Sequence, residues 1–281
     1  MKPRTMKRLV AAAACALATS ALAAPAARGH LTEVMGDTTT LFACEVDRRL
    51  AVPEDEQAIY GTRMLQALLG AGVDLTVPQH VLVVDRNPLV QAALLYRITP
   101  GGSVAFSGAS PVSTGQPGSY EHFATPLGVF AHSLANPDFR AEGTRNENGI
   151  RGYGVEGRRV FDFGWVEAQK GWGDRAESAM RLQVHATDPV LLEPQLGRPR
   201  SKGCIRIPAS LDDFLDRRGI LDRDYVTARE SGASLWVLRA DQDITRWPGR
   251  YLVVVDSLAS TRPAWATPPR SLPRPTECAA P

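Results

Sequence analysis

One cysteine in the chain has neighbours that suit nucleophilic chemistry. Cys204 follows Lys202 and Gly203 and stands two residues before Arg206. In an extended segment Lys202, Cys204 and Arg206 point to the same side, and two cations beside a thiol favour its reactive thiolate. Gly203 lacks a Cβ, so its backbone can bend and bring N–H groups close to a substrate oxygen. The segment therefore predicts a nucleophilic thiol, with a buried structural cysteine as the alternative.

A histidine upstream of Cys204 is the candidate base. Residues 181–187 alternate apolar and polar side chains, which is typical of a half-buried strand. His185 then lies on the polar face of that strand, together with Gln183 and Thr187. A neutral imidazole accepts protons near neutral pH, so His185 is expected to activate the thiol. A strand histidine without a chemical task is the alternative.

The elements that must position these residues are mostly predicted strands. Apolar runs bounded by turn residues predict them at 81–84, 90–96, 104–106, 160–166, 182–187, 204–207, 235–238 and 251–255. The first two form a hairpin across the turn at 85–88. These segments predict a mainly β fold.

Two helices accompany the predicted strands. Pro53 followed by three acidic residues is typical of a helix start, and Gly70 or Gly72 is expected to end that helix. Residues 210–213 resemble a capping box, and Gly219 suits the position after a last helical turn. The first helix belongs to a short N-terminal extension.

The N-terminus has the composition of a signal peptide. Basic residues within 2–8 precede an apolar run at 9–17, and Ala21-Leu22-Ala23 resembles a cleavage site. The apolar run is shorter than the roughly 20 residues that span a bilayer, and no later segment reaches that length. We expect export after removal of residues 1–23, without stable membrane insertion.

Export leaves three cysteines in an oxidising compartment, where thiols tend to pair. Once Cys15 is removed, Cys44, Cys204 and Cys278 remain. Cys44 and Cys278 lie near opposite ends of the mature chain, and chain termini often lie close together. We expect these two to pair and Cys204 to stay free.

Composition and spacing exclude several other classes of function. A net charge of +2 over 281 residues is too weak to indicate nucleic acid. The cysteines and the histidines, at positions 30, 80, 122, 132 and 185, show no metal-ligand spacing. The histidine precedes the cysteine, whereas papain-like proteases have the opposite order and a local motif that is absent here.

His185, the spacer 186–200 and the segment Ser201-Lys202-Gly203-Cys204-Ile205-Arg206 together resemble the signature of the L,D-transpeptidase catalytic domain of the YkuD type. That signature reads His, a spacer, Ser/Thr-His-Gly-Cys, and often a branched residue and Arg. Residues 112–115 and 124–130 are similar to the family's Ser-x-Gly and Thr-Pro-x-Gly-x-Phe stretches. The resemblance covers roughly residues 79–240.

The resemblance implies a sandwich-like, mainly β catalytic domain at 79–240, between an extension at 24–78 and a C-terminal strand with a Pro-rich tail at 241–281. It implies a cofactor-free, periplasmic enzyme whose partners are peptidoglycan stem peptides. In the family the cysteine attacks the carbonyl of the third stem residue and expels the terminal D-alanine. The acyl group then passes to an amine or to water.

The resemblance also assigns roles within the site. Cys204 is the nucleophile, His185 the base and later the acid, and Arg206 shapes the site. The backbone of Gly203 and Cys204 holds the oxyanion. Ser201, Lys202 and Thr187 are the remaining positions expected to contact substrate.

One position departs from the family pattern. Lys202 stands where a second histidine is usual, and we expect its ammonium to help keep the thiol ionised. The sequence does not distinguish acyl transfer from hydrolysis. It identifies neither the acyl acceptor nor the oligomeric state. An L,D-carboxypeptidase or cross-link-cleaving hydrolase of the same fold, and a catalytically inactive wall-binding protein, remain alternatives.

Overall fold

The computed structural model describes residues 38–267 together with Pro275 and Cys278. The predicted signal peptide and Cys15 lie outside the described residues. The helices are α1 (Thr38–Glu45), α2 (Glu54–Gly70), α3 (Ala209–Arg217) and α4 (Arg223–Glu230). The strands are β1 (Gln79–Asp85), β2 (Ala92–Ile98), β3 (Val104–Pro111), β4 (Gly128–Ala131), β5 (Phe139–Arg140), β6 (Arg159–Gln169), β7 (Glu177–Ala186), β8 (Ile205–Ile207) and β9 (Tyr251–Val255).

The strands form two mixed sheets, so the chain has a β-rich fold. The larger sheet has the order β3-β2-β1-β9-β4, with β1 and β9 parallel and the other pairs antiparallel. The smaller sheet has the order β5-β6-β7-β8, and only β7 and β8 are parallel. The predicted β1–β2 hairpin is confirmed. Among the described helices, none combines the length and the apolar character that a membrane crossing requires.

Buried side chains from both sheets share one hydrophobic core. Leu82 of β1 and Leu252 of β9 contribute from the larger sheet, and Leu182, Val184 and Ile205 contribute from the smaller one. Because side chains alternate along a strand, the residues of β7 between these core positions point away from the core. The predicted division of β7 into an apolar and a polar face is therefore confirmed.

The opposite face of the larger sheet is covered by α2. Tyr60, Met64 and Leu68 of this helix form a second core cluster with Val81 and Val83 of β1. The helix predicted after Pro53 is thus confirmed, with Gly70 as its last residue. Since both faces of the larger sheet are buried, β1 consists entirely of buried residues.

Several predicted elements differ from the structure. Residues 235–238 form a turn rather than a strand. The helix at 209–217 exists, but the capping box is wrong, because Pro208 precedes its first turn and the Ser210 hydroxyl donates to Asp47. The helices α1 and α4 were not predicted, since neither has a long apolar period.

The C-terminal strand belongs to the β-rich body rather than to an appendage after residue 240. β9 lies between β1 and β4 in the larger sheet, second from one edge, and Leu252, Val253 and Val254 are buried. The strand predicted at 251–255 is therefore confirmed. The N-terminal extension is likewise packed on the sheet through α2.

The predicted disulfide is confirmed. Cys44 at the end of α1 is bonded to Cys278, and Cys204 is the free cysteine of the described residues. Phe42 of the same helix packs in the shared core, at 5.4 Å between ring centroids from Phe214 of α3. The disulfide thus joins the C-terminal tail to a helix that is itself anchored in the core.

Candidate active site

The parallel pairing of β7 with β8 brings the predicted catalytic residues together. His185 lies opposite Arg206, and Val184 opposite Ile205. Val184 and Ile205 point into the core, so His185 and Arg206 lie on the other face of the sheet. Cys204 immediately precedes β8, and its thiol lies 3.5 Å from the carbonyl oxygen of Arg181 on β7.

The loop that presents Cys204 is closed by the hydroxyl of Ser201. This hydroxyl accepts the backbone N–H of Gly203 at 3.0 Å and donates to the carbonyl oxygen of Cys204 at 2.5 Å. The Gly203 N–H, which was expected to hold an oxyanion, is therefore already bonded within the loop. Ser201 is buried and shapes the loop from within instead of offering a surface to substrate. The backbone N–H of Cys204 is left as the candidate oxyanion donor.

The backbone conformation at position 203 favours glycine. Its φ is +136°, a value that residues with a side chain rarely adopt. A Cβ there would also lie 2.8 Å from the end of the flexible Met180 side chain, which would have to shift. The bend predicted at Gly203 is confirmed.

A second contact to the Cys204 loop comes from the stretches 112–115 and 124–130, which were noted only for their resemblance to the family. Thr125 donates its hydroxyl to the carbonyl oxygen of Gly203 at 2.7 Å and accepts the N–H of Gly115 at 2.8 Å. A Cβ on Gly115 would lie 2.0 Å from the carbonyl oxygen of Phe123, so only glycine fits this approach. Residues 113–115 and 124–126 thus fix the position of the Cys204 loop.

The ring of His185 is oriented by the backbone. Its Nδ1 lies 2.6 Å from the carbonyl oxygen of Ala186, an acceptor only, so Nδ1 carries the proton and Nε2 has a free lone pair. Burial lowers the pKa of His185 to about 4, and the Arg206 cation acts in the same direction. His185 is therefore a neutral base at physiological pH.

The thiol of Cys204 is protonated at rest. Burial raises its pKa to about 11, although Arg206 opposes this increase. The expected net lowering of the Cys204 pKa is not found, because desolvation of the thiolate outweighs the attraction of the Arg206 cation. Among the described contacts the thiol reaches Arg181 and Gln183, and none joins it to the His185 ring.

Lys202 does not face the thiol. Its ammonium forms an ion pair with Glu121 at 2.9 Å, and 63% of its side chain is exposed. The predicted role of Lys202 in ionising Cys204 is therefore not supported by its position.

Thr187, another residue expected to contact substrate, is fully buried, and its hydroxyl has no partner among the described residues.

A polar network on the same face of β7 was not predicted. Gln183 donates to Asp162 on β6 at 2.8 Å, and Arg181 donates to the same carboxylate oxygen at 2.7 Å. Tyr153 donates to the side-chain oxygen of Gln183 at 2.9 Å, and its ring lies 4.7 Å from that of His185. The signal in the sequence was the alternation at 181, 183 and 185, which places these residues on one face.

The buried His185 predicts a specific pH dependence of stability. The folded pKa of about 4 lies below the ordinary value of 6.5, so the unfolded state binds more protons between these pH values. Above pH 6.5 the burial of His185 therefore does not lower the free energy of unfolding through its titration. As the pH falls to 4, the free energy of unfolding decreases by about 3 kcal/mol because the unfolded state gains a proton that the folded state does not. We expect urea unfolding of His185→Gln to lose less stability than wild type between pH 7 and pH 4. Parallel curves for the two proteins contradict this assignment.

Among the described residues, no group of three or more His, Cys, Asp or Glu side chains is arranged to hold a metal ion. No protein-family model matches the chain, and no curated protein matches it.

Proposed function

We propose that this chain is an exported peptidoglycan L,D-transpeptidase that forms an acyl-enzyme on Cys204. One observation carries the proposal: Cys204 stands beside the strand that bears His185, and the Ala186 carbonyl fixes the ring in the tautomer of a base. A nucleophile, a base on the neighbouring strand and a group that orients the base are the elements of covalent acyl transfer.

The chemistry follows from a neutral thiol and a neutral imidazole. When substrate binds, the thiol turns toward His185, whose Nε2 takes the proton as sulfur attacks the carbonyl of the third stem residue. The N–H of Cys204 stabilises the oxyanion. Collapse of this intermediate breaks the amide bond, and His185 returns the proton to the departing D-alanine amine. An acceptor amine, deprotonated by His185, then attacks the thioester and restores the thiol.

Two properties of the fold support this proposal. The two mixed sheets share one core, as expected for a sandwich-like catalytic domain. The motifs at 113–115 and 124–126 that resemble the family also contact the Cys204 loop through Thr125. We include in the proposal that residues 79–255 form an L,D-transpeptidase-like domain.

A periplasmic location is part of the proposal. The N-terminal sequence is typical of a signal peptide, and the Cys44–Cys278 disulfide suits an oxidising compartment. Peptidoglycan stem peptides are accessible to a protein in that compartment.

A non-catalytic wall-binding protein is the second candidate, and specific observations favour it. The thiol has a raised pKa and no contact to His185, and the Gly203 N–H is bonded to Ser201. Hydrolysis by an L,D-carboxypeptidase differs from transfer only in the acceptor, because both use the same acyl-enzyme.

Mass spectrometry of purified stem tetrapeptides incubated with the mature protein separates these functions. Transfer is expected to release D-alanine and to join the acyl fragment to an added amine such as a D-amino acid. Release of D-alanine with a tripeptide as the sole product indicates a carboxypeptidase. Binding without release of D-alanine indicates the wall-binding protein and overturns the proposal.

A further inference from the structure

The guanidinium group of Arg181 is hydrogen-bonded through its Nε. Its Nε donates to the buried carboxylate of Asp162 at 2.7 Å, and 41% of the side chain is exposed. Within the described part of the chain, no hydrogen bond reaches its two terminal nitrogens. The guanidinium therefore presents two parallel N–H groups to solvent, the arrangement that binds a carboxylate through two hydrogen bonds.

The orientation of this guanidinium is set from the interior. Asp162 is fully buried and also accepts the N–H of Gly164 at 2.8 Å and the amide of Gln183 at 2.8 Å. Gly164 and Gln183 hold this carboxylate in one orientation, and the carboxylate in turn restrains the Nε of Arg181. Because the free edge is already oriented, an incoming anion orders few additional groups.

The free edge lies next to the nucleophile. Arg181 and Gln183 share a face of β7, two residues or about 7 Å apart along the strand. The Cys204 sulfur lies 4.0 Å from the Gln183 side-chain oxygen and 3.5 Å from the Arg181 carbonyl oxygen. The guanidinium and the thiol thus lie on the same face of the sheet, on either side of Gln183, which contacts the sulfur and shares the Asp162 carboxylate oxygen with Arg181.

An exposed aromatic side chain flanks the same position. Trp165 of β6 lies directly opposite Arg181 in the antiparallel register, and 67% of its surface is exposed. Directly opposed side chains share a face of the sheet and lie within contact distance. Trp165 thus offers an apolar wall beside the cationic edge, which suits an anionic group carried on a short aliphatic chain.

We propose that Arg181 binds a free carboxylate of the peptide substrate beside the bond that Cys204 attacks, with Trp165 against the aliphatic part of the same residue. The assignment of the substrate as a stem peptide rests on the proposed function. The carboxylate is either that of the terminal D-alanine or one on a stem side chain. In either case Arg181 selects acidic over amidated peptides.

An alkylation experiment tests the anion site without any assumption about the substrate. Iodoacetate and iodoacetamide react with the same thiolate, so the ratio of their rates cancels changes in the Cys204 pKa. We expect Arg181→Gln to lower the iodoacetate-to-iodoacetamide ratio about 5-fold, and Arg181→Lys to lower it less, because lysine keeps the charge but loses the paired donors.

Arg239→Gln is the matched control for this experiment. Arg239 pairs with Asp241 and Asp213 away from Cys204, and its replacement changes the net charge by the same amount. We expect the control to keep the wild-type ratio. Equal ratios for Arg181→Gln and Arg239→Gln overturn the anion site.

Substrate variants identify the carboxylate. For wild type we expect a tetrapeptide with the recognised carboxylate amidated to have a KM about 10-fold higher, and Arg181→Gln to treat acid and amide alike. The terminal carboxamide and the side-chain carboxamide are tested separately. If neither distinguishes wild type from Arg181→Gln, Arg181 does not recognise substrate. If wild type turns over no peptide at all, the proposed function fails, and the alkylation ratio still decides the anion site.

Discussion

Replacement of Cys204 by alanine is expected to remove turnover of stem tetrapeptides by a factor of about 10⁴ or more, because no other group in the site forms the acyl-enzyme. Release of D-alanine, followed by mass spectrometry, measures the loss. The intact wild-type protein is expected to gain the mass of the acyl fragment at Cys204 when the reaction is quenched early. Cys204→Ala gains no such mass.

The control is the fold of the variant. Cys204 is only partly buried and lies outside the core clusters, so removal of its sulfur leaves the two sheets packed. We expect the melting temperature to change by only a few degrees. Full activity of a folded Cys204→Ala protein excludes the mechanism. Unfolding of the variant instead indicates that the cysteine is a structural residue.

Loss of the disulfide is expected to lower the free energy of unfolding by about 5 kcal/mol at most. The bond closes a loop with a sequence separation of 234 residues, and the entropy that a cross-link removes from the unfolded chain increases with loop length. Urea unfolding of Cys44→Ser without reductant measures the difference. Reduction of the wild-type protein is expected to have a similar effect.

The two cysteines provide a matched set of variants. Cys44→Ser, Cys278→Ser and the double variant each remove the same bond, so all three are expected to have equal stability. Reductant is expected to change none of them. Additive losses in the double variant indicate that each cysteine contributes separately and contradict a single shared bond.

Most of the strands, and the face of β7 on which His185 lies, could be predicted because they depend on local periodicity. Alternation at 181–187 requires no knowledge of the neighbouring strands, and the same applies to the β1–β2 hairpin and to α2. The disulfide was also predictable, because the predicted export and the odd number of remaining thiols left few pairings. These features are encoded within short segments or in simple counts.

The electrostatics of the site could not be predicted, because they depend on tertiary neighbours. Lys202 stands two residues before Cys204, yet Glu121, far away in the sequence, holds its ammonium. Desolvation of the thiol depends on the elements that cover the site, and so does the low pKa of His185. Asp162 of β6 can bind Arg181 and Gln183 of β7 only because the two strands are paired in the sheet.

Segment 235–238 shows the corresponding limit for secondary structure. Its apolar residues resemble a strand, but no described strand pairs with it, and the segment forms a turn with Trp236 exposed. The helix α1 shows the reverse case. Its short sequence has little apolar period, and its helix is stabilised by the packing of Phe42 into the core.

The place of β9 between β1 and β4 determines when the larger sheet can be completed during synthesis. A ribosome produces β1, β2 and β3 early, yet β9 consists of residues 251–255. Until β9 has emerged, one edge of β1 is unpaired and β4 has no partner in the sheet. Because the pairing of β1 with β9 is parallel and long-range, we expect it to form slowly and to be the late step in assembly of this sheet.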